Sequence, residues 1–391
     1  MKLYMYLFTC AIILAITYFI VGGNMEPSVQ KMHDFYNFKK DAPIYQREFG
    51  WYVMDKWKAQ GFVNDKTDLD ALFGFDNAAK HYLGQCGWCE APLLPLFDKK
   101  VLQVTDEYEI EQDNAGRKVL YFKGKRNGFM PSYLDHPVKD MKTLEENILW
   151  RMNPDDPKRY KDLESRMRKA FDLQERNFII CANIAGGYMY LRSLIGPEDL
   201  LYKFYDDPQL IHKCMEIWFS VMDKMCETHQ KYITVDEVWF GEDICYNHGS
   251  LISPDMIKEF LFPYYQQLIA NIRKRQLDKG RKLHFQLDTD GYSIAVIDLY
   301  RSIGMDYMSP FEVASGCDVV EVRKKYPDLL ISGGIDKRIL AAGKDAIDKE
   351  IERIMPFMKK QGGYLPTCDH GVPEEVEFTD YLHYRKRMLE Y

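Results

Sequence analysis

At 391 residues and 46% hydrophobic content, the chain can bury one large core or two modest ones, which excludes a disordered or fibrous protein. Its 59 acidic residues outnumber 52 basic ones for a formal charge of -7, and no basic stripe gathers to neutralise phosphates, which argues against nucleic acid as a partner. The nine cysteines stand mostly alone in apolar segments (Cys181, Cys214, Cys226), as small buried hydrophobes do in a reducing, cytoplasmic setting.

The chain opens with an uncharged run over residues 3–21, near the length that crosses a bilayer. Three readings compete: a membrane anchor, a signal peptide cut near Gly23, or an extension ahead of a start at Met25. The last is preferred, followed by the anchor. Lysines on both sides (Lys2; Lys31, Lys39, Lys40) give no orientation. Residues 1–24 are therefore set apart, and 25–391 are read as one domain, because no low-complexity linker or internal repeat divides them.

Residues 101–125 alternate as two strands about a turn at Asn114-Ala115-Gly116, a β-hairpin excursion. Residues 159–176 follow as an amphipathic helix through Tyr160, Leu163, Met167 and Phe171. From residue 178 onward, six short apolar runs (178–184, 237–243, 282–288, 306–312, 329–336 and 363–370) alternate with helical segments, the pattern of repeated βα units. Asp207-Pro208 and Ser253-Pro254 each open a helix, Pro263 kinks or restarts the second, and Gly362-Gly363 ends the helix that begins near Lys344. The expected fold is α/β, a single (β/α)₈ TIM barrel with an N-terminal hairpin.

The later strands are apolar in their bodies and close on polar residues: Glu242 and Asp243; His284, Gln286, Asp288 and Asp290; Glu312; Asp336 with Lys337 and Arg338; then Cys368, Asp369 and His370. In a parallel barrel such ends share the face where active sites are built. A second reading stands beside this one, in which Asp290, Asp318 and Asp336 only cap the following helices. His284, Gln286 and Asp288 fall at period 2, on one side of their strand. Cys86-Gly-Trp-Cys89 has the spacing of a redox or zinc motif, but no second pair matches it, so it reads as two loop thiols beside an aromatic. Gly186-Gly187 and Gly333-Gly334 are not a dinucleotide fingerprint, and nothing supplies a phosphate-loop lysine.

These strand ends resemble the uroporphyrinogen decarboxylase superfamily, which includes the decarboxylase of haem (porphyrin) biosynthesis and zinc-dependent corrinoid methyltransferases. The resemblance runs from about residue 40 to the C-terminus. It is clearest in GEDICYNHGSLISPDMIKEFLFPYY, FQLDTDG, SPFEVASGCDVVEVRKKYP, SGGIDKRILAAGKDAI and GGYLPTCDHGVP. It implies a barrel with a deep cleft at the strand C-termini, often a homodimer. In PIYQREFGWY one arginine of the family's N-terminal motif is kept as Arg47, whereas Trp51 stands at the second; losing one cationic fork weakens the match to a polycarboxylate substrate. Tyr190 and Arg192 fall on the family's tyrosine-bearing loop, and His370 matches its glycine-flanked histidine. On the methyltransferase side, His284 and Cys368 match metal ligands, but Gln286 replaces a cysteine.

The resemblance and the strand ends together give these expectations. Catalytic roles fall to His284, Asp288, Glu312 and His370. Substrate binding falls to Arg47, Tyr190, Arg192, Asp243, Gln286, Asp290 and Asp336. A zinc ion, if held, is placed on Glu242, His284 and Cys368. The preferred function is methyltransferase-like one-carbon chemistry on a small molecule, with a corrinoid protein as a partner, because an acidic mouth repels a polyanion. The alternatives are uroporphyrinogen decarboxylation and a non-catalytic binding barrel.

Overall fold

In the computed structural model, which describes residues 25–124 and 131–391, each of the six expected apolar runs contributes one strand to a single parallel sheet. In chain order the strands are β1 (Lys80–Tyr82), β2 (Lys100–Val104), β3 (Tyr108–Gln112), β4 (Lys118–Phe122), β5 (Ser132–Asp135), β6 (Ile179–Ala185), β7 (Glu237–Gly241), β8 (Cys245–Tyr246), β9 (Gly249–Ser250), β10 (His284–Asp288), β11 (Tyr307–Ser309), β12 (Leu330–Ser332) and β13 (Tyr364–Leu365). Seven of them form the parallel sheet in the order β1-β6-β7-β10-β11-β12-β13. Each strand lies beside its predecessor in that sheet, so all N-terminal ends share one pole and all C-terminal ends the other. β1 went unread because three residues, Lys-His-Tyr, carry no periodic apolar signal.

Strands β2, β3, β4 and β5 form a four-stranded antiparallel sheet in that order, rather than one hairpin. The additional reversal comes at Thr105, whose hydroxyl accepts the amide of Tyr108 at 3.0 Å, a local turn that competes with strand continuation. The expected turn at Asn114 does join β3 to β4.

Helix signals translate directly. Asp207 caps Pro208–His229 by accepting from Leu210 N, and Ser253 caps the next helix through Met256 N. Ahead of Pro263, Ile257–Leu261 widens into a π-turn before Phe262–Arg275 resumes, since proline cannot donate to the preceding turn. Lys344–Gln361 stops at Gly362, which takes φ 72°. The expected helix over residues 159–176 is shorter: Leu163–Glu175 is helical, and Pro157–Tyr160 is a separate 3₁₀ turn.

The helix Pro27–Tyr36 covers the N-terminal pole, packing Val29, Met32, Phe35 and Tyr36 onto Ile179, Cys181, Tyr307, Leu330 and Leu365. An extended stretch that follows it bonds to the segment after β13 and to the segment before β1. On one side Val372 N donates to Gly50 O at 2.9 Å and Tyr52 N to Val372 O at 2.9 Å; on the other, Asp76 N donates to Gln46 O at 3.0 Å. Among the described residues no helix is long and apolar enough to cross a membrane. The apolar run over 3–21 lies outside the described residues.

Candidate active site

A cavity of about 520 Å³ lies against the sheet, and every one of the sheet's strands contributes to its lining, through Lys80, Asn183, Glu237, Gln286, Tyr307, Ser332 and Leu365. Alternation explains the choice: Glu237 and Trp239, Gln286 and Asp288, and Tyr307 and Ser309 are all i, i+2 pairs on the inner face.

At the N-terminal pole the lining is charged but balanced. Lys80 Nζ donates to both oxygens of Glu237, at 3.0 and 2.8 Å, and the Tyr36 hydroxyl donates to the same carboxylate. Burial alone lowers the Lys80 ammonium, but the adjoining Glu237 carboxylate outweighs it and holds the pKa well above the usual lysine value. The Lys80 ammonium also lies 5.5 Å from the ring centres of Tyr36 and Tyr307.

At the C-terminal pole the balance is lost. Asp288 accepts from the Ser309 hydroxyl and from Trp239, and burial pushes its carboxyl up to about 6. Asp290 is pushed up to about 8, by burial first and then by Asp243, Asp288 and Glu312. Asp243 lies 3.4 Å from the Arg192 guanidinium, and Glu312 lies 3.5 Å from Lys337 Nζ while accepting the amide of Gly291. Gly291 has φ 77°, and an added Cβ would fall 2.7 Å from the Tyr246 carbonyl, so the turn that seats Asp290 requires glycine. Four acidic side chains therefore share two cations at this rim, and Asp290, pushed up to about 8, holds its proton at neutral pH. His370 sits against Phe49 and Tyr52, ring centres 5.0 and 6.1 Å away, with its pKa lowered by burial and by Lys337.

Asp243, Asp288, Asp290 and Glu312 thus converge, with His370 beside them. Gln286 lines the same cavity and donates to Ser309 Oγ at 2.7 Å. Arg47 also lines it, although its guanidinium is held by Asp70 at 2.7 Å. Other expectations need correction. His284 does face the same side as Asp288, but at the opposite pole: it is paired with Glu237, whereas Asp288 is paired with Gly241. Four residues at ~3.3 Å each separate them by about 13 Å along the strand. His284 stacks on Tyr36 and bonds Asp306 at 2.8 Å. Tyr190 is fully buried in the helix Gly187–Ile195 and does not reach the cavity. Asp336 is engaged by Arg338, through the backbone amide and the guanidinium. Asp318 caps the next helix, as its second reading had it.

The metal trio separates. Glu242 is fully buried and accepts from Tyr265 and Tyr300, at 2.5 and 2.7 Å. Cys368 is buried, its amide donating to Glu48 at 2.8 Å. Among the described residues no three His, Cys, Asp or Glu side chains are grouped to hold a metal ion. Zinc does not fit these donors.

Sequence reasoning missed the residues that shape the cavity. Glu237 opens an otherwise apolar run, a detectable signal. Trp88, set aside with its flanking thiols, lies 6.1 Å from Trp239 across the cavity wall. The Cys89 thiol beside it is pushed up to about 12 by burial and then by Asp243 and Asp288.

Comparison with known proteins agrees with this architecture. A Pseudomonas entomophila (strain L48) uroporphyrinogen decarboxylase is 23% identical over 181 residues, 44% of this chain and 46% of that protein. One from Hydrogenobaculum sp. (strain Y04AAS1) is 21% identical over 207 residues, covering 52% and 57% respectively. The chain thus spans about half the length of the relatives it matches. A solved methyltransferase from Methanosarcina mazei superposes with a TM-score of 0.57 at 13% identity, over 93% of this chain and 99% of that one, a likeness of fold. Residues 126–385 match the family described as Uroporphyrinogen decarboxylase (URO-D), and the chain belongs to that family.

Proposed function

We propose that this protein is an enzyme of the uroporphyrinogen decarboxylase superfamily that carries out methyltransferase-like, one-carbon chemistry on a small molecule in the cavity. A corrinoid protein would bring or remove the methyl group. The sheet is read as a closed (β/α)₈ barrel, with the extended stretch around residues 46–52 in the eighth position; its hydrogen bonds to Val372 and Asp76 support that reading.

The observation that carries the functional reading is charge. Asp288 lines the cavity and, among the described residues, has no salt-bridge partner, while Arg47 and Arg192 lie against Asp70 and Asp243. A polycarboxylate such as uroporphyrinogen would meet like charge, which costs several kcal/mol in a cleft. A small neutral or cationic substrate meets no such barrier. Asp288, with its carboxyl near 6 and its orientation fixed by Ser309 and Trp239, is placed to hold or move a proton on the bound molecule.

The test incubates the purified chain with uroporphyrinogen and follows carboxyl loss by chromatography; no turnover is expected. In parallel, free cob(I)alamin and small methylated donors are assayed for methylcobalamin absorbance. Uroporphyrinogen turnover would reverse the reading.

A further inference from the structure

The pole opposite the acidic rim is basic, and its cations come from separate loops that the fold gathers. Asn37, which follows the helix lying across this pole, accepts from Lys282 Nζ at 3.0 Å. The loops before β7 and β10 are tied together, Gln230 Nε2 donating to Gln276 Oε1 at 3.0 Å and Asp278 N to Thr234 Oγ1 at 3.0 Å. Lys279 Nζ closes the helix Phe262–Arg275 on the carbonyls of Arg273 and Lys274, at 2.9 and 2.7 Å. Lys40, Lys231, Arg273, Lys274, Lys279 and Lys282 are all exposed here, and among the described residues none of them has a salt bridge. Glu26, Asp34 and Asp236 are taken by Arg176, Lys39 and Arg281, which leaves Asp41, Glu175 and Asp278 as the exposed acids among these cations.

Two apolar side chains stand among the same loops: Leu277 is 57% exposed and Tyr232 is 46% exposed. Leucine and tyrosine flanked by lysines suit a lipid headgroup layer, which takes up the apolar parts while the ammonium groups reach the phosphates. The described chain also begins on this side, where Met25 packs on the apolar cluster beneath the pole helix. The uncharged run over residues 3–21 therefore joins the molecule at this surface, Val21 and Met25 being at most about 14 Å apart along the chain. An apolar run alone would favour neutral and anionic bilayers alike, whereas a cluster of lysines adds a preference for anionic ones. Nucleic acid would use the cations but leave Leu277 and the apolar run without a task.

We propose that this pole lies against an anionic lipid bilayer, its lysines at the phosphates and Leu277 and Tyr232 among the headgroups. The acidic mouth at the other end of the strands then faces away from the membrane, toward dissolved substrate. This orientation holds whichever reaction the cavity performs.

The test floats the full chain with vesicles of phosphatidylcholine alone and of phosphatidylcholine mixed with phosphatidylglycerol. Binding to the anionic vesicles is expected to be at least about tenfold tighter and to weaken as salt is raised. Lys274→Glu combined with Lys282→Glu should remove that preference, and Leu277→Asp should weaken anionic binding about fivefold. Lys258→Glu, a reversal at an exposed position toward the opposite pole, should change neither. Circular dichroism confirms that each variant is folded. Equal binding to both kinds of vesicle overturns the proposal and assigns the association to residues 3–21 alone. An anionic preference that survives the pole variants overturns it too, as do a failure to float with either vesicle and tighter capture by duplex DNA than by anionic lipid.

Discussion

The two poles of the cavity carry similar residue types and opposite electrostatics. At the floor, Lys80 and Tyr36 satisfy the Glu237 carboxylate, and a helix seals the end. At the rim, Asp243, Asp288, Asp290 and Glu312 share Arg192 and Lys337, and the carboxyls of Asp288 and Asp290 are pushed up as a result of burial and mutual repulsion. A buried charge is therefore no guide to function by itself. The informative quantity is whether its partner is supplied by the protein or left to a ligand.

Substitutions at the two ends should separate these roles. The largest effect is expected from Asp288→Asn, which should slow the methyl-transfer assay by about 10²–10⁴-fold while leaving the melting temperature unchanged or higher. Parallel losses of rate and stability would break the contrast. Lys80→Met should do the reverse in kind, destabilising by about 3–5 kcal/mol in urea because Glu237 is left buried without its cation. A variant as stable as the parent would show that the floor pair is dispensable.

A third variant concerns Glu242, which lies behind the rim with its carboxyl pushed up to about 7 by burial. A folded pKa above the unfolded value of about 4.5 means that the folded state holds the proton more tightly. Its contribution to stability is complete below pH ~4.5 and is lost as pH rises to about 7, after which it is constant. Urea midpoints of the parent should fall across that window, and Glu242→Gln should flatten the profile by about 3 kcal/mol. An unchanged slope would place the titration elsewhere. The smallest effect belongs to Tyr36→Phe, which removes one donor to Glu237 and should cost about 1 kcal/mol in the same urea measurement.

Much of this site was legible because strand periodicity is a local property. The runs ending in Glu242-Asp243, Asp288 and Glu312 could be aligned as parallel strands, and Asp207, Ser253 and Pro263 marked helix boundaries through interactions spanning a few residues. His284 shows where that reasoning stops. Period 2 placed it correctly on the face of Asp288, but a face has two ends, and only the pairing of His284 with Glu237 fixes it at the floor. Lys80 is harder still. Nothing near it in the chain announces a role, because its partner lies 157 residues away.

The sequence by itself determined the parallel strand pattern, the helix boundaries and the acidic character of the strand ends, since each depends on neighbours within a few residues or on composition. Only the tertiary structure decided which polar groups satisfy one another. It sent Tyr190 and Glu242 into the core, His284 to the floor and Trp88 to the cavity wall. The reason is physical: burial and charge pairing are set by contacts between distant segments, and those contacts exist only after the sheet has assembled.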